Sequence, residues 1–378
     1  MSSGSNYLDP DRPGTVRLRM DDARALGEGA LARIGYGTDD AGIITDQLID
    51  NALCGCRFAG LPRILAIARE AKTRDTRVPV AVVDETPVSA LIDGGNNVGY
   101  VAVYHGAEIA IAKAKQTGVA AVGVYNSYFS GRNAYYLERI VNARLVGLHT
   151  ASGAPHIVPP GATRPALGTN PIAFGFPSAD GPVIFDIGTA SLMWGEVLLA
   201  VETGEALPPG VAFDADGNPT IDGGAAATGG VAAFGGHKGY GLAFAIQALG
   251  LLAGAAIPRG QVQDYGFLFL VVDPGALLPG NPFAAEMSRL VKAIQATPRQ
   301  PGVEEIRIPS QRSHGSRGAT LPLRDGHRGC LAIKCFGGAV RVRFTLRCAG
   351  LGCSPGPRTR ENAGPAGAVA FCDPLGAR

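Results

Sequence analysis

The apolar residues of this chain recur at two spacings, and the switches between them lay out its elements. Residues 19–34 and 38–53 carry helical spacing. In the second stretch Ile44, Leu48 and Ala52 recur every four residues, and Asp39 and Asp40 stand at the end where a helix favours negative charge. Residues 78–83 and 89–93 are short and rich in β-branched side chains, and 84–87 between them predicts a hairpin or paired strands. A helix is predicted over 98–116 and a buried strand over 119–124. Further strands are expected at 145–150, 183–187 and 267–272, and helices at 238–252 and 283–295. Interleaved helices and strands predict an α/β protein with mixed sheets.

Composition narrows the class. With 378 residues, 46% of them hydrophobic and 17% charged, the chain is long enough for a large core and two or three domains. It is too apolar for a disordered protein. Its 54 glycines follow no repeat. No lysine-rich run or basic-aromatic interleaving is present, so no nucleic-acid partner is expected. The longest apolar stretch, 239–257, is broken by Gln247, Gly241, Gly250 and Gly254, which suits a buried helix better than a membrane span. Residues 1–14 lack the apolar core of a signal peptide, and the expected setting is cytoplasmic, without a membrane partner. G-x-G-x-x-G occurs nowhere, so a Rossmann phosphate loop of the usual form is not available.

After about residue 320 the character changes. Residues 325–378 hold five of the seven cysteines, and their seven arginines and one lysine face three acids. Cys330-x4-Cys335 and Cys348-x4-Cys353 invite a zinc reading, since four thiolates can close a tetrahedral site. The spacing is wider than in most fingers and the flanks look like low complexity, so the expectation is a disordered tail and no metal site. Cys54 and Cys56 read as reduced and structural, and His105, His149 and His156 as single structural histidines.

Several short segments fall in an informative order. Gly55-Cys56-Arg57-Phe58-Ala59-Gly60-Leu61-Pro62-Arg63 resembles a G-H-x-S-H-G-x-x-R motif. Asn126-Ser127 with Gly131 and Tyr135-Tyr136 resembles N-S-x-H-x-G…Y-Y. Gly168-Thr169-Asn170-Pro171 matches a G-T-N-P turn, and Asp186-Ile187-Gly188-Thr189 resembles D-x-A-T-S. Pro209-Gly210 with the stretch 214–220 resembles P-x-G…D-x-x-G-x-P-T. Gly235-Gly236-His237-Lys238-Gly239-Tyr240-Gly241-Leu242 matches a G-G-x-K-G-x-G-L helix entry, and 297–308 fits a closing segment. Together, over roughly residues 14–317, these resemble the malate/L-lactate dehydrogenase-like oxidoreductases, a nicotinamide-dependent family unrelated to the Rossmann lactate dehydrogenases.

The resemblance implies that fold, NAD or NADP as cofactor, hydride transfer to or from a small 2-oxo or 2-hydroxy acid, and a homodimer. It implies an N-terminal helical region, 1–85, packing with 245–320, around a cofactor-binding α/β domain, 86–244. It also implies that Arg63 grips the substrate carboxylate, for which a guanidinium fork is suited, and that Asp186 supports the site from a strand end. Ser127, Gly168, Thr169, Asn170 and Pro171 are expected at the cofactor, with Gly236, His237, Lys238 and Gly239 seating its pyrophosphate at a helix N-terminus.

The departures are clustered. Ala59 stands where the family's proton-carrying histidine would be, Phe58 replaces the motif serine, and Cys56 and Phe129 replace two further histidines. Met193 and Trp194 occupy places usually held by smaller residues, while Arg132 and Asn133 are additional polar groups beside Gly131. An alanine cannot move a proton, so His237 is the expected substitute, together with Lys238, Tyr128 or a water held by Asp186. Two alternatives follow: a cyclic imine (iminium carboxylate) as substrate, or a non-catalytic cofactor-binding protein.

Overall fold

The computed structural model describes residues 15–56, 59–70, 76–320 and 330–334. They belong to one compact unit, Met1–Gly337; a second, Gly338–Arg378, lies outside the described residues, as do Cys335, Cys348 and Cys353 of the zinc reading and Phe58 of the first motif.

Strand β1 (Thr15–Arg19) leads into helices α1 (Met20–Arg33), α2 (Thr38–Leu53) and α3 (Arg63–Arg69). The expected spacing holds in α2, which buries Ala41, Ile44 and Leu48 and carries Asp39 and Asp40 in its first turn. A hairpin of β2 (Ala81–Thr86) and β3 (Ser89–Asp93) follows. Helix α4 (Gly99–Thr117) then returns the chain to β4 (Val119–Tyr125), parallel to β3. Next come α5 (Asn133–Asn142), β5 (Val146–Ser152), β6 (Ile172–Phe176) and β7 (Val183–Ile187). After them lie α6 (Trp194–Thr203), β8 (Ala212–Phe213), α7 (Gly223–Thr228) and β9 (Gly230–Val231). The chain continues through α8 (His237–Leu252), β10 (Gly266–Val272), α9 (Phe283–Gln295), α10 (Gln311–Thr320) and β11 (Cys330–Lys334).

The main sheet has seven strands in the order β2-β3-β4-β10-β5-β6-β7, with β10 antiparallel to both neighbours. The hairpin sits later than expected: its turn is Pro87-Val88, and the Thr86 hydroxyl closes it by accepting the N–H groups of Val88 and Ser89. β2 is the sheet edge and every residue of it is exposed, so Asp84 and Glu85 stay in water within the strand, beside a bulge at Val82/Asp84. Strand β10, from within the 245–320 stretch, forms the middle of the sheet. Its sequence, GFLFLVV, is almost wholly buried, so it is stabilised by partners on both edges.

Three cores result. One lies between the sheet and α4 and α5, around Ile92, Val122, Tyr136 and Phe269. A second joins α1, α2 and α3 through Leu31, Ile44, Leu48 and Ile67 to Tyr100 and Tyr128. The third gathers Val197, Ala212, Val231 and Ala243 around α6 to α8. Helix α8 lies close on the sheet because two glycines permit it: a Cβ at Gly250 would collide with Ser152 Oγ, and one at Gly266 with the Gly250 carbonyl. Among the described residues no helix is long and apolar enough to cross a membrane.

The Cys/Arg-rich segment contributes β11, which pairs antiparallel with β1 as a separate two-stranded sheet. Ending the chain after Leu323 unpairs β1 and leaves the seven-stranded sheet untouched. The expected result is a thermal midpoint lowered by no more than about 4 °C, with cofactor binding retained; a truncated chain that is insoluble or no longer binds NADH or NADPH contradicts it.

Candidate active site

A cleft of about 650 Å³ takes wall residues from all three cores: Tyr100 from the second, Ala134, Ile184 and Phe267 from the first, Trp194 from the third. That volume suits a small ligand and part of a cofactor. Arg63 opens α3 on one wall, with its guanidinium over the Phe129 ring, 4.2 Å from the centroid. Ala59 lies on the same side, 8% exposed, its carbonyl accepting Asn51 Nδ2 at 3.3 Å. No imidazole stands there to move a proton.

Asp186 ends in the cleft near the terminus of β7 and accepts the Ala134 N–H at 2.8 Å, so its carboxylate caps the start of α5. Burial raises its pKa; the N–H groups of Ala134 and Asn133 and the charge of Arg132 pull the other way without cancelling the rise. Arg132 lines the cleft too, but its charge is spoken for. It meets Asp50 at 2.5 Å and Glu138 at 3.4 Å, and Arg317 of α10 binds the same acids at 2.8 and 2.9 Å. Burial pushes Glu138 up, yet the hydrogen bonds from His314 and Arg317 and both guanidinium charges bring it down to about 2. This network pins α10, whose Arg312 and Ser313 wall the cleft, onto α2 and α5. Ser310, just before it, donates to the Ile184 carbonyl at 2.6 Å.

The turn motifs are stitched together by hydrogen bonds. Thr189 donates its N–H and hydroxyl to the Thr169 carbonyl at 2.9 and 3.0 Å, and its own carbonyl accepts the Phe234 N–H at 3.0 Å. Asn170, at φ 34°, donates Nδ2 to the Ala243 carbonyl of α8 at 2.8 Å and to Gln247 Oε1 at 3.0 Å. Thr169, Asn170 and Pro171 line the cleft. Gly168 lies behind them, where a Cβ would strike Asn170 Oδ1. Ser127 does not reach the cleft either: it is fully buried and donates to the Asn97 carbonyl at 2.6 Å.

His237 stands apart from these residues. It is exposed, as are Gly236 and Lys238, and none of the three lines the cleft that holds Arg63 and Asp186. The reason is positional: His237 is the first residue of α8, and the helix meets the G-T-N-P turn further along, at Ala243 and Gln247. Gly239 is buried against the Phe234 carbonyl.

The cleft holds a different histidine. His156 stacks on Trp194 with ring centroids 3.9 Å apart and planes 12° from parallel, and burial lowers its pKa to about 4. It is therefore neutral at physiological pH. His149 is buried against Phe269, with Nδ1 at the Leu268 carbonyl. Among the described residues no cluster of His, Cys, Asp and Glu could hold a metal.

A profile of the malate/L-lactate dehydrogenase family matches residues 18–321. The chain belongs to that family. Among similar proteins, the L-sulfolactate dehydrogenase of Methanothermobacter thermautotrophicus is 33% identical, over 79% of this chain and 92% of its own. The Delta(1)-pyrroline-2-carboxylate reductase of Ancylobacter novellus is 32% identical, over 80% and 91%. The crystal structure of a dehydrogenase from Sinorhizobium meliloti superposes with a TM-score of 0.75 at 26% identity, covering 85% of this chain and 95% of that one. The malate/L-lactate dehydrogenase fold expected from the motifs is the fold of this chain, and as a member of the family it is an NAD(P)-dependent oxidoreductase.

Proposed function

We propose that the cleft holds the reacting end of NAD or NADP beside a small carboxylate substrate, and that hydride passes between the cofactor and carbon 2 of a 2-oxo or 2-hydroxy acid. The observation that carries this reading is the meeting of Arg63, Asp186 and the Thr169-Asn170-Pro171 turn in one cleft. The residues present fit the cofactor: Asn170 Oδ1 is a buried acceptor with no partner among the described residues, which suits a carboxamide N–H. The start of α8, hydrogen-bonded through Phe234 and Thr189 to that turn, presents Gly236, His237 and Lys238 to solvent where a pyrophosphate would meet helix N–H groups and a positive charge.

Bound there, the nicotinamide supplies or takes up the hydride. Arg63 orients the substrate through its carboxylate, and the apolar walls (Ala59, Phe129, Ile184, Phe267) exclude water and strengthen that contact. Asp186 is the one carboxyl lining the cleft among the described residues, and burial keeps its proton on to higher pH than is usual, so it serves as proton donor to the new alkoxide. We place the chain in a cytoplasmic homodimer, supported by Phe244, Leu252 and Ile257, which are 62%, 72% and 66% exposed around the end of α8.

A second reading is favoured by Ala59 together with the neutral His156. A cyclic iminium carboxylate accepts hydride at carbon without needing a proton, and this cleft carries no histidine of ordinary pKa. Asp186→Asn separates the readings. Reduction of 2-oxo acids should fall by about 10²-fold or more, and the loss of wild-type activity with rising pH should disappear, while cyclic imine reduction persists. Failure of the wild-type chain to bind either NADH or NADPH, titrated by the fluorescence of its single tryptophan, Trp194 in the cleft, would sink both.

A further inference from the structure

Asn133 is the first residue of α5, 1% exposed, and part of the cleft wall. Neither Nδ2 nor Oδ1 of its carboxamide has a hydrogen-bond partner among the described residues. A buried amide left wholly unpaired is destabilising, and folded proteins seldom retain one where a smaller or apolar residue would serve. Its surroundings point to a ligand. Its own N–H and that of Ala134 hold the Asp186 carboxyl, so the carboxamide is anchored beside that acid. The nearby cation, Arg132, is occupied by Asp50 and Glu138 and leaves the amide alone. Arg63, over the Phe129 ring, lines the same cleft and supplies a guanidinium for a carboxylate.

We propose that the Asn133 carboxamide binds the heteroatom on carbon 2 of the substrate and holds it as charge redistributes during hydride transfer. This rests on the oxidoreductase reading above and names the group that acts at the reacting atom. With a 2-oxo acid, carbon 2 accepts hydride as NAD(P)H is oxidised to NAD(P)+, and the C=O electron pair moves onto oxygen. Asn133 Nδ2 donates to that oxygen while the Asp186 proton completes the alcohol. With a cyclic iminium, the C=N pair moves onto nitrogen and neutralises it. No proton is consumed, and Asn133 Oδ1 accepts the N–H. One carboxamide serves either heteroatom, because it offers a donor and an acceptor on the same group.

Two replacements of the full-length chain test this. Asn133→Leu should lower kcat by about 10²-fold with KM changed much less, as expected when a preorganised donor to a developing charge is removed. The same variant should melt no lower than wild type, since it removes an unpaired buried amide. Asn133→Asp offers no donor once ionised, so its 2-oxo acid reduction should fall away as pH rises while cyclic imine reduction is spared. A binding arm stands without turnover: oxamate, a 2-oxo acid look-alike that takes no hydride, should quench or shift Trp194 fluorescence in wild type and bind about tenfold more weakly to Asn133→Leu. The proposal is overturned if Asn133→Leu keeps wild-type oxamate affinity or kcat. It is equally overturned if that variant melts well below wild type, because the amide then has a structural partner. A wild-type chain that binds oxamate through Asn133 but neither NADH nor NADPH would defeat the oxidoreductase reading and the hydride-transfer role with it, leaving only the contact between Asn133 and the carbon-2 heteroatom.

Discussion

Arg63→Gln lowers kcat/KM about 10²–10³-fold, chiefly through KM, because a neutral amide cannot replace a charge-assisted fork on the substrate carboxylate. Arg63→Lys restores charge without the planar fork and should recover only part of the loss. The setting favours a large effect. Arg63 stands over Phe129 at 4.2 Å, in a wall whose other members near it are Ala59 and Tyr100, so the contact is poorly screened by water. Steady-state kinetics following NAD(P)H consumption decides the matter. An Arg63→Gln enzyme within about threefold of wild type would show that the carboxylate is held elsewhere, with Arg312 and the Glu305-paired Arg307 as further guanidiniums lining the cleft.

The largest stability change should come from Arg132. Its side chain is 12% exposed and ties Asp50 and Glu138 together, so Arg132→Met removes one of the two guanidiniums that face these largely buried acids, leaving Arg317 and, at Glu138, His314, and should cost about 3–5 kcal/mol in chemical unfolding. The pH dependence carries a sign. Glu138 is brought from 4.5 down to about 2 in the folded chain, so its contribution is complete above pH 4.5 and is lost as pH falls towards 2. Asp50 is raised by burial and acts in the opposite sense, gaining relative stability as it takes up a proton. Glu138→Gln should therefore flatten the decline in melting temperature between pH 4.5 and 2; an unchanged slope would place the acid sensitivity elsewhere.

What the sequence revealed and what it hid have physical causes. Helix α2 and strand β7 are legible because one buries a regular face and the other forms a short β-branched run; α9 is legible from its apolar spacing although Leu290 and Ile294 stay exposed. Helix α10, QRSHGSRGAT, shows no apolar period, since charge contacts hold it: Arg317 reaches Glu138 across 179 positions of chain. Helix α6, WGEVLLAVET, is so apolar that its pattern favours no period, and β6 hides as a short run after Pro171. In the proposed site, Arg63, Asp186 and Thr169-Asn170-Pro171, named from the order of the motifs, line one cleft, because close local geometry demands those residue types in a fixed order. The His156–Trp194 stack and the Arg132 network were not, because each is a contact between elements distant in sequence. His237 lies outside the cleft for a related reason: a motif fixes where a helix begins, not which of its turns meets the cleft.

The central place of β10 has a consequence for how the protein is made. β4 and β5 leave the ribosome early but do not pair with one another; each waits for β10. About 110 residues separate the end of β5 from the start of β10, which at roughly 5–20 residues per second is on the order of 5–20 s of synthesis. Through that interval the nascent chain carries two open, apolar strand edges that can recruit a neighbour or a chaperone. The same strand that closes the sheet thus sets the period during which an unfinished molecule is most open to aggregation.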